Sequence, residues 1–272
     1  MVSLLNVDEA DILWMSGRLR NILLNSIFNY ITDTRMKVAI MTHIPTPETF
    51  QPALDFDWSQ SSLEELFSTD HWQKFNHDAF IDVRNILQKK GIKTLEIYTK
   101  THPQTAFAFG YIFRREADFS LCIHHFDEIW STQYLNTSPS HLSCISTEGN
   151  IGSQHMAVAI SITQDVEYGL KQFIKDNDIF RCYLTCAPSN KKTPYNISND
   201  VIASEIAEEV RNAIIDTRKI YPTTDIHLFA AVPIPLAYMI GWRLNACGRI
   251  HLYHHDRNTS TYAKSWILDG ND

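Results

Sequence analysis

The feature that most restricts the fold is an order of elements that occurs twice. Two short, continuous apolar runs stand near the head of each occurrence, Met36-Lys-Val-Ala-Ile-Met-Thr42 and Met156-Ala-Val-Ala-Ile-Ser-Ile162. Runs of this length without alternation suit strands buried on both faces. After the first, apolar spacing predicts a helix over 72–89, a strand over 93–99, a helix from 103 to about 114 and a strand over 119–125. After the second it predicts a helix over 166–175, a strand over 180–187 and a long helix over 200–218. A strand over 225–230, a helix over 235–245 and a strand over 249–255 complete the order. Strands that alternate with helices require crossover connections, and therefore parallel sheets covered by helices.

Residues 94–124 can be laid on residues 225–255 without a gap. Leu95-Glu-Ile-Tyr98 falls on Ile226-His-Leu-Phe229, Ala106 on Ala237, Gly110 on Gly241, Tyr111 on Trp242 and His124 on His255. Identity is sparse, so the shared order and apolar pattern carry the reading of a duplication, against two similar units that arose separately. The expected division is an amphipathic N-terminal helix within 1–33, a first half over 34–150 and a second half over 151–272. Residues 46–70 read as irregular and acidic with a short helix over 61–67, and the polar stretch 136–153 as the connection between halves.

With 272 residues, 44% hydrophobic and 20% charged, the chain has enough apolar side chain to offset its ordering entropy, which excludes a disordered protein. Its net charge of −7 argues against non-specific DNA binding, which needs a basic face, but allows a small anion in a local pocket. The five cysteines are scattered and odd in number, so they read as buried thiols of a reducing cytoplasm rather than a disulfide framework. Cys182 and Cys186 would share one face of a strand, a poor start for a zinc site. Asp8, Glu9 and Asp11 interrupt the first apolar stretch, which excludes a secretory signal there. The most apolar window, 228–244, contains Pro233, Pro235 and Arg243 and reads as strand, turn and helix rather than a membrane span.

Catalytic fingerprints are missing: no phosphate-binding loop, no Gly-x-Gly-x-x-Gly after a strand, no nucleophile elbow and no His-Glu-x-x-His helix. The expectation is a binding protein rather than an enzyme. In open parallel sheets, ligands sit beyond the carboxyl ends of the strands. Those ends carry Thr42 and His43, then Lys100, Thr101 and His102 ahead of a helix opening at Pro103. In the second half they carry Thr163 and Gln164, then Ala231 and Pro233 ahead of a helix opening at Pro235. Helix amino termini offer free N–H groups and a dipole suited to phosphate, although ordinary N-capping explains any one of these residues as well. The pairs His124-His125 and His254-His255 end equivalent strands beside Asp127 and Asp256. Neighbouring strand residues point to opposite faces, so no metal site is expected. Glu205, Glu208 and Glu209 read, with Arg211, as the solvated face of the long helix.

The segment Ile226-His-Leu-Phe-Ala-Ala-Val-Pro-Ile-Pro-Leu-Ala-Tyr-Met-Ile-Gly-Trp-Arg-Leu-Asn245 resembles the end of a SAVED domain. Arg249-Ile-His-Leu-Tyr-His254 and Tyr262-Ala-Lys-Ser-Trp266 extend the resemblance. SAVED domains are sensor modules of bacterial cyclic-oligonucleotide anti-phage systems and of some type III CRISPR systems. The resemblance implies two fused CARF-like Rossmann halves, each a mainly parallel sheet covered by helices. It implies a cyclic tri- or tetranucleotide bound between the halves, head-to-tail self-assembly, and activation of an effector. His43, Lys100, His102 and the helix starts at Pro103 and Pro235 would then serve the phosphates, and Gln164, Tyr238, Trp242 and His254 the bases. Such domains are usually fused to an effector, whereas residues 1–33 read as one helix, so the effector is expected as a separate protein or as a domain outside this chain. The alternatives are a ring nuclease acting on the same ligand and an unrelated Rossmann-like nucleotide-binding regulator.

Overall fold

A computed structural model describes residues 34–42, 52–59, 61–62, 66, 68–71, 77–133, 140–176, 179–190, 193–256 and 261–269. The expected N-terminal helix within 1–33 and most of the expected helix over 61–67 lie outside these residues, as do the first five residues of the helix expected over 72–89. The chain is α/β with two mostly parallel sheets. It divides into two compact units, one holding residues 1–102 and 112–133, the other 103–111 and 134–272.

In the first unit, strands β1 (Arg35–Met41), β2 (Leu54–Asp57), β3 (Thr94–Lys100), β4 (Ser120–His125) and β5 (Glu128–Ser131) stand in the order β2-β1-β3-β4-β5. All neighbours are parallel except β4 and β5. Helix α1 (His77–Lys89) buries Phe80, Val83 and Leu87. The core is aromatic: the Phe80 ring meets Phe56 edge-on at 4.8 Å and Phe113 at 6.3 Å.

The second unit begins its chain course with α2 (Pro103–Ile112), whose residues to Tyr111 belong to it, and continues with β6 (Leu142–Glu148), β7 (His155–Ser161), α3 (Glu167–Asp176) and β8 (Phe180–Pro188). Then come α4 (Asp200–Ile220), β9 (Asp225–Ala231), α5 (Ile234–Arg243), β10 (Arg249–Asp256) and β11 (Thr261–Leu268). The sheet order is β11-β10-β9-β7-β8-β6. Strand β7 is buried from Met156 to Ser161, as its unbroken apolar run requires, while β8 alternates buried and half-buried residues along its length. Helix α4 is started by Asn199, whose side chain accepts from the Ile202 N–H.

Remove β6, and the two sheets have the same plan: the first strand central, the second on one side, the third and fourth on the other, and an antiparallel strand closing that edge. The gap-free alignment carries β3 onto β9 and α2 onto α5 end to end. Strands β2, β5, β6 and β11 were not legible as elements, and the boundary expected at 150 falls between β6 and β7 of one sheet. Strand β6 is an edge strand with a single buried residue, Leu142, so its sequence resembles a polar linker.

Helices α2 and α5 cross on their small residues. A Cβ at Gly110 would run into the Tyr238 carbonyl oxygen, and one at Gly241 into that of Phe107. Phe107 is the residue that the alignment lays on Tyr238, so each helix makes to the other the contact it receives. This close approach buries the α5 residues from Pro235 to Arg243.

The amino ends of β7, β9 and β10 hold a histidine network. His155 Nδ1 lies 3.0 Å from His227 Nε2, and His227 Nδ1 lies 2.8 Å from the Tyr253 hydroxyl. His251 stacks on His227 at 4.5 Å and reaches Asp225 Oδ1 at 2.7 Å. Burial, and then the neighbouring His251, His155 and Lys264, push His227 down to about 3.

Candidate ligand-binding site

In both sheets the connection after the central strand runs to one side and the later crossover returns to the other. That reversal opens a crevice beyond the carboxyl ends of β1 and β3 in one sheet and of β7 and β9 in the other. Eight of the residues singled out from the sequence stand at these two points.

In the five-stranded sheet, the Thr42 N–H donates to the Lys100 carbonyl at 3.0 Å, and the Thr42 hydroxyl accepts from the His102 N–H at 3.0 Å. These bonds tie the ends of β1 and β3 together. Lys100 is exposed, whereas Thr101 is buried and its hydroxyl has no hydrogen-bond partner among the described residues. His43 lies outside the described residues.

In the six-stranded sheet, the Ala231 carbonyl accepts from both Ile162 and Thr163 N–H groups, each at 2.9 Å, joining the ends of β7 and β9 in the same manner. Thr163 is half-buried and Gln164 exposed. The Ser161 hydroxyl accepts from the Val166 N–H at 3.1 Å, which bends the chain from β7 into α3. Pro233 precedes α5 as its N-cap without a side-chain cap bond, leaving the first N–H groups to other partners. The start of α2 reaches the carboxyl end of neighbouring β10, where the Gln104 amide donates to the Tyr253 carbonyl at 2.7 Å. Two helix amino termini, at Pro103 and Ile234, therefore stand at the ends of adjacent strands.

Three expected residues do not present themselves. Tyr238 is fully buried with its ring edge-on to Phe109 at 5.9 Å, and Trp242 is buried with the Arg243 guanidinium 5.1 Å over its ring. Pro235 is buried in the first turn of α5. The glycine-mediated helix crossing takes up the surface these side chains would have offered. His254 is half-buried on β10, and burial lowers its pKa. His124 is engaged in its own sheet, stacked on Tyr98 at 3.9 Å and bonded to Glu96 at 2.8 Å.

The sequence did not single out a polar cluster at the same edge of the six-stranded sheet. Glu205 and Glu209 are not a solvated face: they lie one turn apart on α4 and meet the beginning of β6. Glu209 accepts from the His141 N–H at 2.7 Å, the Leu142 N–H at 2.8 Å and the Ser140 hydroxyl at 3.2 Å. Glu205 is buried and holds His141 Nε2 at 2.7 Å, while the Tyr195 hydroxyl stands 3.5 Å from His141 Nδ1. Glu208 bridges Arg211 at 3.3 Å and the buried Arg243 at 3.2 Å. The sequence signal for this cluster was the four-residue spacing of Glu205 and Glu209, which equally fits an exposed helix face.

Because Glu209 satisfies two backbone donors of an edge strand, Glu209→Ala should destabilise the fold by about 1–3 kcal/mol. Glu209→Gln retains one acceptor and should lose less. Urea midpoints of the three proteins check the order, and an Ala variant as stable as the parent would contradict this role.

Residues 81–268 match the SAVED family model, described as the SMODS-associated and fused to various effectors sensor domain. Comparison with curated proteins finds no match. Among solved structures, the Acinetobacter baumannii Cap4 SAVED/CARF-domain containing receptor with the cyclic trinucleotide 3'3'3'-cAAA is 20% identical, with a TM-score of 0.71 over 85% of this chain and 52% of the other. The same receptor with 2'3'3'-cAAA gives 20% identity and 0.72 over 86% and 51%. The Moraxella osloensis Cap4 receptor gives 18% identity and 0.60 over 92% and 54%. The chain thus spans about half the length of these receptors, and the likeness is one of fold. Among the described residues, no helix is long and apolar enough to cross a membrane.

Proposed function

This chain belongs to the SAVED family of sensor domains, and from that premise we propose that it binds a cyclic tri- or tetranucleotide and passes the signal on by self-assembly. The family match over 81–268 is the observation that carries the reading. The site chemistry supports it. At the switch point of the six-stranded sheet, Thr163, Gln164, Ala231 and Pro233 are small or polar, and two helix starts stand beside them. N–H groups at helix starts suit bridging phosphates, and an exposed amide such as Gln164 suits a base edge. Thr42, Lys100, Thr101 and His102 form the corresponding set of the five-stranded sheet. Ligand binding, head-to-tail assembly and control of an effector carried elsewhere form one proposed sequence of events, with sensing rather than catalysis as this chain's part.

The test is a thermal-shift screen against cyclic di-, tri- and tetranucleotides, beginning with the two cAAA isomers carried by the Acinetobacter receptor structures. A ring at about a hundred times its Kd should stabilise the fold by about 2.7 kcal/mol, several degrees in Tm. Thr163→Asp, which sets a carboxylate at the switch point, should weaken binding at least about tenfold, or about 1.4 kcal/mol. Light scattering should rise with the same ring. No shift with any ring would overturn the reading. Chromatography of the recovered ligand distinguishes sensor from ring nuclease: an intact ring supports sensing, and linear fragments would make His141, held by Glu205, the first candidate base.

A further inference from the structure

Of the five cysteines, two face each other across neighbouring strands. Cys144 on β6 and Cys186 on β8 are direct partners in the antiparallel register, and their sulfurs are 2.8 Å apart. Directly opposed residues of an antiparallel pair have Cα atoms about 4.5–5.5 Å apart, inside the range that disulfides span. A further approach of about 0.8 Å brings the sulfurs to the bonded distance of about 2.05 Å. No other cysteine is so placed among the described residues of the two strands: Cys182, on the same face of β8, opposes Glu148 of β6 and Met156 of β7. Sequence spacing drew attention to Cys182 and Cys186, but β6, which supplies the real partner, read as linker.

We propose that Cys144 and Cys186 are a reversible redox modification site, forming a cross-strand disulfide that staples the edge strand β6 to β8 when a hydroperoxide is present. The two sulfurs differ in access. Cys144 is half-buried on the edge strand, and Cys186 is fully buried. The hydrogen bond with Cys144, and then burial, hold the Cys186 thiol well above its ordinary range, so it stays protonated. Cys144 is therefore the sulfur that meets the oxidant. It loses its proton and attacks one peroxide oxygen; the O–O bond breaks, the alcohol or water leaves, and Cys144 becomes a sulfenic acid. The Cys186 sulfur then attacks the Cys144 sulfur, the S–O bond breaks, and the departing hydroxide takes the Cys186 proton as water. Two electrons pass from the thiol pair to one peroxide, and a dithiol returns them.

The staple would act on a strand already fixed at its beginning by Glu209 and at its flank by the β8 register. Its expected effect is slower exchange of the β6 amides and little change elsewhere. The experiment treats the folded protein with hydrogen peroxide, then counts thiols by alkylation after denaturation. Two of the five should disappear, and a peptide map should show Cys144 joined to Cys186, with dithiothreitol restoring all five. Cys144→Ser, a change at a half-buried position, should leave four thiols that all alkylate after the same treatment. Five free thiols in the parent, a Cys144 oxidised past sulfenic acid while Cys186 stays free, or a link to a different cysteine would each overturn the assignment.

Discussion

Gly241→Ala should lower stability by about 3 kcal/mol, although the same exchange inside an ordinary helix gains about 1 kcal/mol. The reversal of sign comes from what the added carbon meets. At Gly241 it runs into the carbonyl oxygen of Phe107, part of a backbone that cannot move aside without shifting all of α2. Gly110→Ala should behave alike, because its Cβ meets the Tyr238 carbonyl. Gly152→Ala is the control: there the added Cβ would meet nothing nearer than Oδ1 of Asn150 at 3.6 Å, an ordinary van der Waals contact. Against a total stability of about 5–15 kcal/mol, the first two variants lose a large fraction and the control a small one. Chemical denaturation of the three variants, with the double variant costing less than the sum, checks the crossing. Equal stabilities for all three would contradict it.

Acid should weaken the fold well above the range in which carboxylates titrate. His227 stays neutral in the folded protein down to about 3, whereas the unfolded chain takes up that proton near pH 6.5. Its depressed pKa costs nothing above pH 6.5 and an increasing amount below it, as the unfolded state gains a proton that the folded state refuses. The loss should reach about 2–3 kcal/mol by pH 4.5. Burial lowers His251 as well, against the pull of Asp225, so it adds in the same direction. The groups facing the pair are His155 from β7, Asp225 from β9, Tyr253 and Arg249 from β10, and Lys264 from β11. The Asp225 carboxyl is lowered by its bonds from His251 and Thr224, although burial opposes them, so its own loss falls at lower pH. Urea midpoints from pH 7.5 to 4.5 should fall steeply, and His227→Gln should flatten the slope. Stability that holds constant from pH 7.5 to 5 would contradict the buried neutral imidazole.

The parts legible in the sequence were those that burial writes into it. Strands β1 and β7 are covered on both faces and appear as unbroken apolar runs; β3 with α2 and β9 with α5 share an apolar rhythm that alignment detects. Edge strands carry little of that signal. Strand β2 is four residues long, β5 exposes Glu128 and Ile129, and β6 is mostly half-buried or exposed. The candidate site followed the same division. Thr42, Lys100, Thr163 and Ala231 could be placed at strand ends from the sequence because the ends of buried strands are easy to locate. The Glu205–His141 pair could not, since its two residues come from a helix face and from the start of an edge strand. Tyr238 and Trp242 were drawn toward the ligand because aromatic rings suit bases; the glycines one turn away in the same alignment already marked that face for helix contact.

The crossing of α2 and α5 has a further consequence. Two segments of one plan meeting reciprocally have the arrangement of a homodimer contact, which in separate chains would dissolve on dilution. Joined in one polypeptide, they hold each other at a local concentration that no dilution changes. The contact is then present at any expression level.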